Sequence, residues 1–80
     1  MRYGRVGKFL RGPAGEVNEF VIDRGLDVRF PSEEAIRVQA IATIVSRVEV
    51  HGRMRHGSTI DAYLDATVIV NRDSKRTVNY

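Results

Sequence analysis

The two histidines, the ten carboxylates and the turn that holds Ser58 are where this 80-residue chain could hold catalytic chemistry, since it has no cysteine. His51 and His56 stand five positions apart on one segment. A zinc site needs three or four converging donors, and no further donor aligns with this pair, so the spacing assigns no metal. Ser58, His56 and Asp61 have the side chains of a nucleophile, a base and an orienting acid. Adjacency on a turn does not aim a base at a nucleophile, however, and no strand-turn-helix elbow surrounds the serine. Gly4, Gly7 and Gly12 are scattered, and the Gly7-Lys8 step is not followed by the hydroxyl and helix of a phosphate loop. No catalytic residue, metal or cofactor is assigned, and binding rather than catalysis is the expectation.

Binding chemistry is better represented. The net charge is +3, and of 13 cationic residues all but Lys8 and Lys75 are arginine, whose planar fork pairs with phosphate and stacks on rings. The charges are segregated along the chain. Arg2, Arg5, Lys8 and Arg11 precede any carboxylate, His51 to Gly57 is an acid-free stretch holding Arg53 and Arg55, and Arg72, Lys75 and Arg76 form a third basic cluster. Between them, Glu16, Glu19, Asp23 and Asp27 make an acidic stretch that would repel phosphate and pair instead with Arg24 and Arg29 across strands.

The elements that would hold these charges follow from hydrophobic period. With 42% hydrophobic and 29% charged residues the chain reads as one small globular domain over residues 1–80, expected to be soluble and cytoplasmic, with no signal sequence or spanning segment. Arg2 to Leu10 mixes strand formers with two glycines and predicts a bent strand, with a bulge near Gly7 returning both Val6 and Phe9 to the core. A turn at Arg11 to Gly15 leads to a second strand from Glu16 to Asp23, in which Asn18, Phe20 and Ile22 share a face. Arg24-Gly25 turns into a third strand carrying Leu26, Val28 and Phe30 inward. Pro31 stops it, and Ser32 is read as the capping residue of a helix in which Glu33 pairs with Arg37. Ile36, Ala40 and Ile44, beside Val38, Ile41 and Val45, would form its broad apolar face, ending near Ala42. A fourth strand follows from Ser46 to Arg55 with Val48, Val50 and Met54 inward. After a turn at His56-Gly57-Ser58, the fifth runs from Ile60 to Val70 with Ile60, Ala62, Leu64, Ala66, Val68 and Val70 inward. The core spans about 3–70. Beyond Asn71 the chain is polar and reads as a frayed tail, with an edge strand at Thr77 to Tyr80 as the open alternative.

Mainly β, with the order β-β-β-α-β-β, this is the layout of a five-stranded Greek-key barrel with one helix between strands three and four. The phrases Gly4-Arg-Val-Gly-Lys-Phe, Gly15-Glu-Val-Asn-Glu-Phe-Val-Ile, Gly25-Leu-Asp-Val-Arg-Phe-Pro31 and Val48-Glu-Val-His-Gly52 resemble short bacterial domains of the oligonucleotide/oligosaccharide-binding (OB) type. The resemblance departs at the helix exit, where many such domains carry Gly-Asp and this chain has Val45-Ser46. It implies a ligand, single-stranded nucleic acid or an oligosaccharide, lying across strands two and three and flanked by the loops after strands one and four, and the basic residues there make single-stranded DNA or RNA the expected partner. On that layout Arg11, Arg53, Arg55 and His56 converge on one rim. Arg5, Lys8 and Arg29 extend it, and Tyr3 and Tyr63 offer rings for bases to stack on, whereas Phe9, Phe20 and Phe30 are core. The alternative partner is a protein, docked on the same barrel by complementary charge.

Overall fold

The computed structural model describes residues 2–23, 25–56 and 62–80. The expected turns at Arg24 and at Gly57-Ser58, the start of the fifth strand at Ile60, and the Ser58 and Asp61 pair lie outside the described residues. The elements are β1 (Arg2–Arg11), β2 (Val17–Ile22), β3 (Leu26–Arg29), a 3-10 turn (Ser32–Glu34), α1 (Ala35–Ile41), β4 (Arg47–His56), β5 (Ala62–Asn71) and β6 (Thr77–Asn79). Antiparallel ladders join β1 to β2, β2 to β3, β1 to β4 and β4 to β5, and a parallel β3–β5 pairing closes the ring. The barrel therefore runs β1-β2-β3-β5-β4 and back to β1. Among the described residues no helix is long and apolar enough to cross a membrane.

Strand β1 serves both sides of the closure. Residues Arg2 to Arg5 pair with β4, and Val6 to Arg11 pair with β2, so the strand must bend between the two. The bend is the bulge expected at Gly7, where the partners step from Val6↔Ile22 to Lys8↔Val21. Val6, Phe20, Ile22, Val28, Phe30, Val48, Val50, Leu64, Ala66 and Ile69 fill the interior. Each such aliphatic or aromatic side chain contributes about 1.5–3 kcal/mol on burial. Phe9 packs edge-on against Phe20 at 5.8 Å, and Phe20 lies 6.0 Å from Phe30, so all three phenylalanines belong to the core cluster.

Two inward sets differ from the expected parity. In β2 the register slips between Leu10↔Glu19 and Arg11↔Val17, which turns Val17 into the core in place of Asn18. In β5 a bulge at Thr67, between His51↔Val68 and Gly52↔Ala66, sends Ile69 inward and leaves Val68 and Val70 only half-buried. Met54 keeps inward parity but is 41% exposed. The described part of β1 ends opposite Val50, so beyond that point β5 is the one described strand beside β4, and Met54 stays open on its other side among the described residues.

The helix is short and closes one side of the barrel. Pro31 rather than Ser32 stands at the N-cap, no side chain caps it, and the first turn is 3-10. Arg37 pairs with Glu34 at 2.5 Å, not with Glu33. Only Val38, Ile41 and the following Ala42 are buried, while Ile36 is 85% exposed and Ala40, Ile44 and Val45 also face outward. Two turns of helix cannot bury a stripe on both flanks. The tail is ordered, as the edge-strand alternative has it: β6 pairs with β5, Val78 is buried, Asn71 Nδ2 donates to the Ile41 carbonyl at 2.6 Å, and Arg76 donates to that of Ala40 at 3.3 Å. The tail thus satisfies carbonyls that the helix end leaves open.

Candidate functional site

Barrel closure lines up the outward side chains of five strands in two transverse rows. One runs Lys8, Val21, Asp27, Tyr63, Arg55 and the next Leu10, Glu19, Arg29, Asp65, Arg53, in the order β1, β2, β3, β5, β4. The row between them, Phe9, Phe20, Val28 and Leu64, points inward, which fixes the alternation.

Opposite charges meet across these rows. Arg29 Nε lies 3.4 Å from Glu19, Arg55 Nε donates to Asp65 at 2.7 Å, and the Arg29 guanidinium sits over the Tyr63 ring at 3.9 Å from its centroid. Glu19 has only 13% of its side chain exposed. Burial, and then repulsion from Asp27, push its carboxyl above the ordinary range, against the opposing pull of Arg29. Lys8, Arg53 and His56 are exposed and make no ion pair with a carboxylate among the described residues. Arg11 Nη1 donates to the Gly15 carbonyl at 2.7 Å, stiffening the turn after β1.

The nine sequence-predicted residues fall into separate groups. Arg29, Tyr63, Arg53 and Arg55 share the outer β3-β5-β4 surface, and Lys8 and Arg11 border it from β1, whereas His56, opposite Ala62, has the inward parity of Met54 and lies off that face. Three strands separate Leu10 from Arg53, a path of about 19 Å at the usual strand spacing. Leu10 and Arg53 thus stand at the two ends of one row, with Arg11 next to Leu10 at the β1 end. Tyr3 and Arg5 lie elsewhere, on the β1–β4 ladder, where Tyr3 opposes Glu49 and Arg5 opposes Arg47.

Around that ladder is a second charged cluster that sequence reasoning did not assemble. The Arg72 guanidinium lies over the Tyr3 ring at 4.4 Å and 3.6 Å from Glu49, whose other oxygen meets His51 Nε2 at 2.5 Å. Arg47 binds Asp73, and the Arg5 main-chain N–H donates to Asp23 at 2.9 Å. The hydrogen bond from Arg47, with the further charges of Arg5 and Arg72, holds the Asp73 carboxyl below its ordinary value. Tyr3, Arg5, Asp23, Arg47 and Arg72 line an open depression of about 520 Å³. The outward parity of Arg47 and the basic cluster at Arg72 were legible, but not their meeting with Tyr3. Among the described residues no three His, Asp or Glu side chains converge as metal ligands would. Comparison with known proteins finds no matching family model, no matching curated protein and no matching solved structure.

Proposed function

We propose that the chain is a non-enzymatic binding module of OB type that holds single-stranded DNA or RNA weakly, mainly through the sugar-phosphate backbone. The observation that carries this reading is the β3-β5-β4 surface, where Arg29 stacked on Tyr63 lies beside Arg53 and Arg55. A guanidinium on a ring presents both a positive charge and a flat surface, the two features a single strand uses. Lys8 and Arg11 border the same face from β1, so a strand crossing β2 and β3 meets cations at both ends of its path. Glu19, Asp27 and Asp65 stand in that path, which limits affinity to about the micromolar range.

The test is fluorescence anisotropy with labelled oligonucleotides over a salt series. Neutralising three to five phosphates gives a slope of log affinity against log salt of about −2 to −3.5, so a fourfold rise in salt weakens binding roughly 15- to 130-fold. Arg53→Ala with Arg55→Ala should remove most of the binding. An absence of binding at low salt, or indifference to that double substitution, rules the reading out. A second reading, docking of a protein partner, is supported by the exposed aliphatic side chains Ile36, Ile44 and Val45, which a solvated face does not need.

A further inference from the structure

Arg5 and Arg47 are direct cross-strand partners, and the main-chain N–H of Arg72, the residue after β5, donates to the Arg47 carbonyl at 2.9 Å, so three arginines stand side by side. Like charges placed opposite one another on a sheet repel, and such a row costs stability unless an anion lies against it. Asp73 supplies one such anion by binding Arg47. Glu49 is divided between Arg72 and His51, and among the described residues the Arg5 guanidinium reaches only the Val45 carbonyl, at 3.4 Å. Two features beside the row are not needed for an ion pair. The Tyr3 ring is 53% exposed and lies on the wall shared by the 520 Å³ depression and a neighbouring one of about 670 Å³. The Asp23 carboxylate lines both depressions, held by the Arg5 N–H. Gly4 makes room for it, since a Cβ there would lie 2.7 Å from Asp23 Oδ2.

From this we infer a second binding site, between β1 and β4, for a nucleoside 5′-phosphate. The phosphate, with its charge of about −1.5 to −2 and three acceptor oxygens, lies against Arg5, Arg47 and Arg72 and displaces Asp73 from Arg47. The base stacks on Tyr3, and Asp23 accepts from the sugar hydroxyls, a role that suits a carboxylate close to a phosphate site better than a phosphate contact would. The occupant is either a free nucleotide or the 5′-terminal nucleotide of a strand, which share this chemistry. The site uses none of Arg29, Arg53, Arg55 and Tyr63, so it stands or falls separately from the proposed strand-binding face.

The test is NMR titration of the full chain, reading the Tyr3 ring and the arginine Nε–H resonances, with inorganic phosphate, adenosine and adenosine 5′-monophosphate in turn. The monophosphate should shift Tyr3, Arg5, Arg47 and Arg72 and bind at least about tenfold more tightly than either phosphate or adenosine alone, as stacking adds to charge. Arg5→Gln with Arg47→Gln should abolish that binding, and Tyr3→Leu, at an exposed position the fold does not depend on, should bring it down to that of phosphate. Asp73→Asn should tighten it, and Arg53→Ala with Arg55→Ala should leave it unchanged. Oligonucleotides with a 5′-phosphate or a 5′-hydroxyl then separate the sources: a preference for the phosphorylated end that Arg5→Gln with Arg47→Gln removes assigns the site to strand ends, and no preference assigns it to the free nucleotide. The inference is overturned if the monophosphate shifts none of these resonances, binds no better than phosphate, or shifts those of Arg53 and Arg55 instead.

Discussion

Gly52 and Asp65 approach each other so closely across the β4–β5 ladder that no side chain fits between their backbones. A Cβ on Gly52 would lie 2.8 Å from the Asp65 carbonyl carbon and from Ala66 Cα, and closer still to the Asp65 oxygen. The approach sits at the Thr67 bulge, which also sends Ile69 into the core. Gly52→Ala must open this ladder or move the bulge, and the expected cost is about 3 kcal/mol, the upper range for inserting an atom where none fits. Urea denaturation measures it, and an unchanged midpoint would mean that the two strands are not this close.

How far the sequence was legible follows from the same bulge. The Gly7 bend of β1, the three-strand meander and the helix site could be read because two glycines, Pro31 and a clean period of two mark them. The inward set of β5 could not. Leu64, Ala66, Val68, Ile69 and Val70 are all apolar, so a one-residue slip costs no hydrophobic match and only the facing Gly52 marks it. β6 was hidden for the opposite reason, since Val78 is its one apolar residue. For the candidate site, outward parity sufficed to find Arg29, Tyr63, Arg53 and Arg55. Their distance from Arg11 depends instead on the route of closure through β2, β3 and β5, which no local pattern carries.

Glu19 should make the barrel less stable as pH rises. Its folded-state carboxyl is raised above 4.5, chiefly by burial and then by Asp27, so in the window from 4.5 up to the folded value the native state holds more protons than the unfolded chain. Stability falls with rising pH through that window, and the penalty is complete above it. Glu19→Gln should therefore flatten this part of the pH profile and raise the urea midpoint at neutral pH, even though Arg29 loses its 3.4 Å partner. A lower midpoint at neutral pH would show that the Arg29 pair outweighs burial and the Asp27 repulsion. The same substitution removes a negative charge from the proposed strand path, and oligonucleotide affinity should rise with it.

Val45 sits where a glycine would be at ease. Its φ is 64°, a left-handed conformation that is an outlier for a β-branched residue, and its side chain is 64% exposed. The backbone is held there because Val45 N–H donates to the Val6 carbonyl at 2.7 Å and Ser46 N–H closes the turn onto Thr43 at 2.9 Å. Left-handed backbone costs about 1–2 kcal/mol here, and a glycine returns part of that as unfolded-chain entropy. Val45→Gly should raise unfolding free energy by roughly 0.5–1 kcal/mol, read as a higher melting temperature. A lower one would mean that the exposed valine contributes packing.

Tyr80 closes the tail with an apolar contact and an unanswered polar atom. Its ring packs against the core beside β6, but its hydroxyl is buried without a hydrogen-bond partner among the described residues. Burial, and then the nearby carboxylates of Glu34 and Asp65, push its ionisation well above the ordinary tyrosine range, so the hydroxyl stays neutral and carries only the cost of lost hydration. Leaving such a group unpaired costs about 1–3 kcal/mol, whereas a phenyl ring of the same shape has nothing to leave unpaired. Tyr80→Phe should accordingly be neutral or stabilising by about 1 kcal/mol, while Tyr80→Ala, which also empties the apolar contact, should destabilise by about 3 kcal/mol. Thermal denaturation of the two variants separates the ring from the hydroxyl. A clear loss of stability in Tyr80→Phe would mean that the hydroxyl has a partner, most directly Glu34 or Asp65, and that the tail is fastened by a polar bond as well as by packing.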